Sequence, residues 1–250
     1  MAEPCHASGV TGESHSGDDP HRRLGERVWL AERVREPADI GVIWDMDGTL
    51  VASSTVVPDA FIETVTRLGA TPPDRDGVVA LYDLGDPRMM LGRMLGREGT
   101  EDDADLYHRV LGGMIDQVHV HAGVEDVLSE LGRRGVPQAV FTGNSHQAAA
   151  ILLEGTGLRA YFDVVVGGNE VARPKPAPDG VLRAAEELGL APERCLYVGD
   201  SPLDVGAGES AGAVPVHAGW GHLYDEALGH ATAYTPVDVL GFVDRLGSGS

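Results

Sequence analysis

Ile40, Val42, Ile43 and Trp44 surround one glycine in a continuous apolar run. This is the pattern of a short strand buried on both faces, and two acids arrive where that strand should end. Beyond Gly123 similar runs recur at residues 138–141, 163–166, 194–198 and 214–216 and predict further strands. The stretches between them, 124–131, 145–153, 178–188 and 203–211, repeat apolar residues at helical spacing. Alternation of this kind implies right-handed crossovers. The fold class is therefore α/β, with a Rossmann-like parallel sheet core and helices on both faces.

Residues 53–122 break the rhythm. Ala60, Phe61, Val65 and Leu68 form one helical face closed by Gly69, and Met89, Met90, Leu91, Met94 and Leu95 form a second. Leu106, Val110, Leu111, Met114, Ile115 and Val118 form a third, and Thr100 ahead of three acids marks a helix start. No strand is evident here, and the methionines read as core filler. The expected organisation is a core made of residues 37–52 and 123–250, interrupted over 53–122 by an all-helical cap domain. Residues 1–23 have too little apolar content to repay ordering and read as a disordered tail, followed over 24–36 by a weak amphipathic helix.

Composition narrows the partners. The 250 residues are 42% hydrophobic, ample for a core, and carry a formal net charge of -20. That charge argues against binding nucleic acid or an anionic membrane, so an anionic substrate needs local positive charge or a metal. Cys5 and Cys195 are too few for a disulfide framework, no apolar run is long enough for a membrane span, and no signal peptide is apparent. The expected location is the cytoplasm, and the oligomeric state is left open.

Parallel sheets bind ligands at the carboxyl ends of their strands. After the first strand, Asp45 and Asp47 project to the same side, and Gly48 permits a sharp turn. After the next comes Thr142-Gly143-Asn144-Ser145, a hydroxyl and free N–H groups at a helix start, suited to an anion. Lys175 stands among three prolines that fix where it points, while neighbouring Arg173 reads as solvated or structural. The fourth strand ends in Gly199-Asp200, with Asp204 beyond. Four carboxylates, one ammonium and an anion site become self-consistent when a hard divalent cation such as Mg²⁺ joins them. No Gly-x-Gly-x-x-Gly follows the first strand, which counts against a dinucleotide site.

Taken together, Asp45-Met46-Asp47-Gly48-Thr49, Thr142-Gly143, Lys175 and Gly199-Asp200-x-x-x-Asp204 resemble the four motifs of the haloacid dehalogenase superfamily, in order. The similarity is greatest to its phosphoglycolate phosphatase-like and β-phosphoglucomutase-like members. The resemblance implies that Asp45 is the nucleophile and that Asp47 is the general acid and then the base. It implies Mg²⁺ held by Asp45, Asp200 and the backbone carbonyl of Asp47. Thr142, Gly143, Asn144 and Lys175 would hold phosphate, and Asp204 would orient Lys175 or a metal-bound water.

The implied function is a Mg²⁺-dependent phosphatase of a small phosphorylated metabolite; the alternatives are a phosphomutase or a non-catalytic phosphate-binding module. A mutase needs a cap cation for its second phosphate, and Arg88, Arg93 and Arg97 are candidates. Arg88, nearest the Gly85-Asp86-Pro87 loop, is the expected substrate-reading residue. Dehalogenation is disfavoured by the acid at position 47, and phosphonate cleavage by a cap without lysine.

Overall fold

Residues 39–248 are described by the structure, a computed structural model. The tail and weak helix expected over 1–36 lie outside the described residues. Strand β1 (Gly41–Trp44) runs through the middle of a six-stranded sheet with β4 (Gln138–Phe141), β5 (Val164–Val166), β6 (Cys195–Gly199), β7 (Val214–Ala218) and β8 (Thr232–Ala233). The order is β5-β4-β1-β6-β7-β8, every pairing being parallel. The crossovers are α6 (His146–Gly155), α7 (Asp179–Glu187) and α8 (Pro202–Ala211). All residues of β1, β4 and β6 are buried, as strands covered on both faces must be.

Register sets the site. Trp44 lies opposite both Val140 and Val198, so β1, β4 and β6 end at the same height. The N–H of Asp45 still donates to the carbonyl of Val198 at 2.8 Å, which carries the sheet one residue further. Underneath, the fully buried Trp44 donates from Nε1 to Gln138 Oε1 at 3.3 Å.

The predicted strands and crossover helices agree with the observed ones to within one or two residues, except that helix α5 (Val124–Arg134) runs three residues longer. Past residue 216 the chain adds β8 and α9 (Val239–Gly247), introduced by a capping box between Thr235 and Asp238.

Between β1 and α5 lie α1 (Val56–Arg67), α2 (Arg75–Val79), α3 (Pro87–Leu95) and α4 (Glu101–Gly113). Thr100 caps α4 in a reciprocal capping box with Asp103. Phe61 of α1 stacks on Tyr107 of α4, with ring centroids 4.0 Å apart and planes 19° from parallel. The stretch is not wholly helical as expected. Chain exit and return pair as the antiparallel strands β2 (Val51–Ala52) and β3 (His119–Val120), each too short to show a period of two. Of the methionines, Met90 is buried, whereas Met89 on the outer face is 52% exposed. Among the described residues no helix is long and apolar enough to cross a membrane.

Candidate active site

The loop after β1 is shaped by one glycine. Gly48 adopts φ +85°, and a Cβ there would fall 2.4 Å from Asp200 Oδ2 and 2.6 Å from His222 Nδ1. With Gly48 N–H donating to Val51 O at 2.8 Å, the turn folds back and leaves Asp45 and Asp47 at the sheet's edge.

Four strand ends converge there. Lys175, the only lysine in the chain, donates from Nζ to Asp45 Oδ1 at 2.5 Å and to Asp204 Oδ1 at 2.7 Å. The Lys175 ammonium also lies 4.9 Å from the ring centre of Phe141 and 5.5 Å from that of Tyr197, which shield it from water. Asp204 is held at both oxygens, by Lys175 and the Tyr197 hydroxyl on one and by the Ser201 N–H and hydroxyl on the other. Asp200 Oδ2 accepts from Leu223 N–H at 3.1 Å and lies 3.2 Å from His222 Nδ1. Asp45 and Asp200 each keep one oxygen outside these bonds.

Asp47 turns the other way, toward the anion loop. Ser53 Oγ donates to it at 2.5 Å, Asn144 Nδ2 at 2.7 Å and Thr142 Oγ1 at 3.0 Å. Thr142 Oγ1 in turn accepts from Asn144 N–H, as an Oγ preceding a helix start does. The loop ends at Ser145, whose hydroxyl caps α6.

Burial and like charge push these acids apart in pKa. Asp45 is raised well above the carboxylate range by burial and then by Asp204, with Lys175 opposing. Burial also raises Asp47, against hydrogen bonds from Ser53 and Thr142, and it raises Asp200, against the Leu223 N–H. For Asp204 burial is outweighed by Lys175 and Ser201, leaving it below its usual value; Lys175 is held well above its own, its burial overcome by Asp204 and Asp45.

Four buried or half-buried carboxylates thus face one ammonium. Oxygens of Asp45, Asp200 and Asp204 lie within 4.8 Å of one another. Such a cluster of hard oxygens could hold a divalent cation. Because both oxygens of Asp204 are already bonded, the free ones belong to Asp45 and Asp200. The carboxylate of Asp47 is outside the cluster, so the metal contact expected of it rests on its backbone carbonyl.

A cleft of about 480 Å³ opens over these groups. Asp45, Asp47, Gly143, Asn144, Lys175, Asp200 and Asp204 line its floor, while Phe61, Tyr82, Met90 and Tyr107 line the wall from the helices opposite. Gly85 and Pro87 of the expected substrate loop reach it too. Arg88 does not. Asp86 caps α3, Pro87 at its first position lines the cleft, and Arg88, the next residue round the helix, lies on the outer side. Arg88 is ion-paired with Glu101 at 3.0 Å and lines a separate outer groove of about 760 Å³ with Arg93 and Arg97. His146 pairs with Glu170 at 2.8 Å on the surface, and Arg173 with Asp179 at 2.5 Å.

Ser53, Tyr197, Ser201 and His222 also belong to the site and were not singled out from the sequence. Ser53 and His222 lie on neither a predicted strand end nor a motif. Tyr197 is inside β6, where its burial reads as core until Asp204 is placed beside it.

Comparison with known proteins agrees with this geometry. The family described as haloacid dehalogenase-like hydrolase matches residues 41–212. The chain is 30% identical over 212 residues to phosphoglycolate phosphatase of Shigella boydii serotype 4 (strain Sb227), covering 75% of this chain and 84% of that protein. It is 28% identical to phosphoglycolate phosphatase of Aquifex aeolicus (strain VF5), covering 82% and 96%. Among solved structures, CbbY from Rhodobacter sphaeroides in complex with phosphate superposes with a TM-score of 0.68 at 23% identity, covering 82% of this chain and 98% of its own.

Proposed function

The chain belongs to the haloacid dehalogenase-like hydrolases, and from that membership we infer a phosphatase of small phosphorylated metabolites that works through an aspartyl-phosphate on Asp45. The relatives named as phosphatases support the reaction class. The observation that carries the residue roles is Asp45 fixed by the chain's only lysine beside Asp200, with Asp47 held over the Thr142 loop.

Asp45 attacks phosphorus in line, and the bond from phosphorus to the ester oxygen breaks with its electron pair leaving on that oxygen. Asp47 delivers the proton this oxygen needs, a task suited to a carboxyl whose pKa burial has raised. It then takes a proton from the water that attacks the phosphorylated Asp45, releasing phosphate and restoring the carboxylate. Ser53, Thr142 and Asn144 hold Asp47 in place, and with substrate bound the Thr142 hydroxyl turns its one proton from Asp47 to a phosphoryl oxygen, beside Gly143 and Lys175. Mg²⁺, held by Asp45, Asp200 and the carbonyl of Asp47, would neutralise phosphoryl charge and align the group for attack. Asp204 positions Lys175. Helices α1–α4 act as a cap that limits water and selects the alcohol.

Among the described residues lining the cleft the helices contribute no lysine or arginine, which favours hydrolysis over a mutase that must hold a second phosphate. With Mg²⁺ and p-nitrophenyl phosphate, Asp45→Asn is expected to lower phosphate release on the order of 10³-fold or more, as loss of a covalent nucleophile does. Equal rates for the native and substituted chains would falsify the assignment and leave a binding module.

A further inference from the structure

The two sides of the cleft differ in a way that bears on the alcohol the enzyme releases. The floor holds four carboxylates and one ammonium, and that ammonium is already shared by Asp45 and Asp204. His222 reaches the cleft paired with Asp200. From the segments opposite come Val57, Phe61, Tyr82, Met90, Tyr107 and one acid, Asp83, with no lysine, arginine or histidine among the described lining residues on that side. The three arginines that α3 and its following turn could have offered line the outer groove instead, Arg88 tied to Glu101 and Arg97 to Asp103.

A second anionic group on the substrate would therefore enter a negatively charged cleft with no counter-charge. A carboxylate or second phosphate there loses its hydration and gains no partner. The wall is suited to the opposite kind of body. Phe61 and Tyr107 stack face to face, so that they meet the cleft by their edges, and the Tyr107 hydroxyl is buried without a hydrogen-bond partner among the described residues although the residue lines the cleft. A buried donor left in this way calls for an acceptor, which a ligand in the cleft can supply.

Resting on the phosphatase assignment above, we propose that the substrate is the phosphate monoester of an uncharged alcohol with a ring-sized apolar body, and that phosphoglycolate and bisphosphates are poor substrates. The phosphoryl group sits on the Asp45 floor. The ring lies against the cleft-facing edge of the Phe61–Tyr107 stack, and a neutral oxygen of the alcohol accepts from the Tyr107 hydroxyl. The wall thus selects by area and by exclusion of charge, without ionic pairing.

The test compares three alkyl phosphate monoesters on the native protein with Mg²⁺: 2-phosphoglycolate, its neutral primary amide, and benzyl phosphate. The amide differs from phosphoglycolate essentially in charge, and benzyl phosphate adds the ring. In kcat/KM, the amide is expected to exceed phosphoglycolate by about tenfold or more, because a charge that loses its hydration without gaining a partner is strongly disfavoured, and benzyl phosphate to exceed both. Phosphoglycolate turned over as well as its amide, or better, would overturn the substrate class while leaving the phosphatase intact. If none of the three esters, nor p-nitrophenyl phosphate, released phosphate faster than with Asp45→Asn, the phosphatase assignment would fall and the substrate class with it.

Discussion

The carboxyl edge of the sheet and the helical wall that faces it across the cleft are built on opposite principles. At the edge, buried charge is packed against buried charge: Asp45 and Asp204 share Lys175, and Asp47 draws three donors. Across the cleft, Phe61, Met90 and Tyr107 present apolar area and one orphaned hydroxyl. The first arrangement costs stability and is retained for chemistry, whereas the second lowers the free energy of folding while shaping what can enter. Substitutions on the two sides should therefore separate turnover from selection.

The largest effect is expected at Lys175. Its side chain is only 10% exposed and bridges two acids that are themselves buried, so Lys175→Met leaves both without their counter-ion. Breaking such a buried pair costs about 3–5 kcal/mol. The loss should be greatest in chelator and shrink when Mg²⁺ is supplied, because a cation at Asp45 and Asp200 offsets the same charge. Urea unfolding with and without EDTA checks this. Equal destabilisation in both conditions would mean that the acids and the ion do not share one field.

How far the two sides could be read from sequence follows the same division. Asp45, Thr142, Lys175 and Asp200 were legible because each follows a short apolar run, and in a parallel sheet the ends of such runs must meet. Asp204 was legible one helical turn further on. The wall was not. Whether Arg88 or Met90 faces the cleft depends on how α3 is rotated, which its packing against α1 and α4 decides. Phe61 was visible only as a helical apolar position and Tyr107 was not singled out at all, with nothing local to say that the pair borders a cleft. Ser53, just past the first motif, and His222, well past the last, carry no local signal, and it takes the folded turn and the closed fold to bring them to Asp47 and Asp200.

On the apolar side, Phe61→Ala sharpens the contrast. Phe61 is 2% exposed and stacked on Tyr107, so truncation should cost about 3 kcal/mol in urea unfolding. Among molecules that remain folded, KM for benzyl phosphate should rise several-fold while KM for the phosphoglycolate amide changes less. A uniform fall in kcat for both esters would place Phe61 with the reacting groups and erase the distinction between the two sides.

The smallest effect concerns the joint between them. His108 of α4 is buried with Nε2 3.2 Å from the hydroxyl of Ser145, the residue that caps α6 beside the phosphate loop, and its Nδ1 has no hydrogen-bond partner among the described residues. Burial lowers its pKa, against the carboxylates of Asp105 and Asp86, which favour the charged form. The folded chain thus holds His108 neutral at a pH where the unfolded chain, with an ordinary histidine pKa near ~6.5, already binds a proton. Its contribution is complete above that unfolded value and declines as pH falls through it toward the folded pKa, where the decline levels off. His108→Gln cannot take up a proton, so between about pH 7.5 and about pH 5.5 it should lose less stability than the native chain, by about 1 kcal/mol or less. Urea midpoints at the two pH values measure the difference, and parallel losses in both proteins would show that the joint between helices and sheet edge is insensitive to His108.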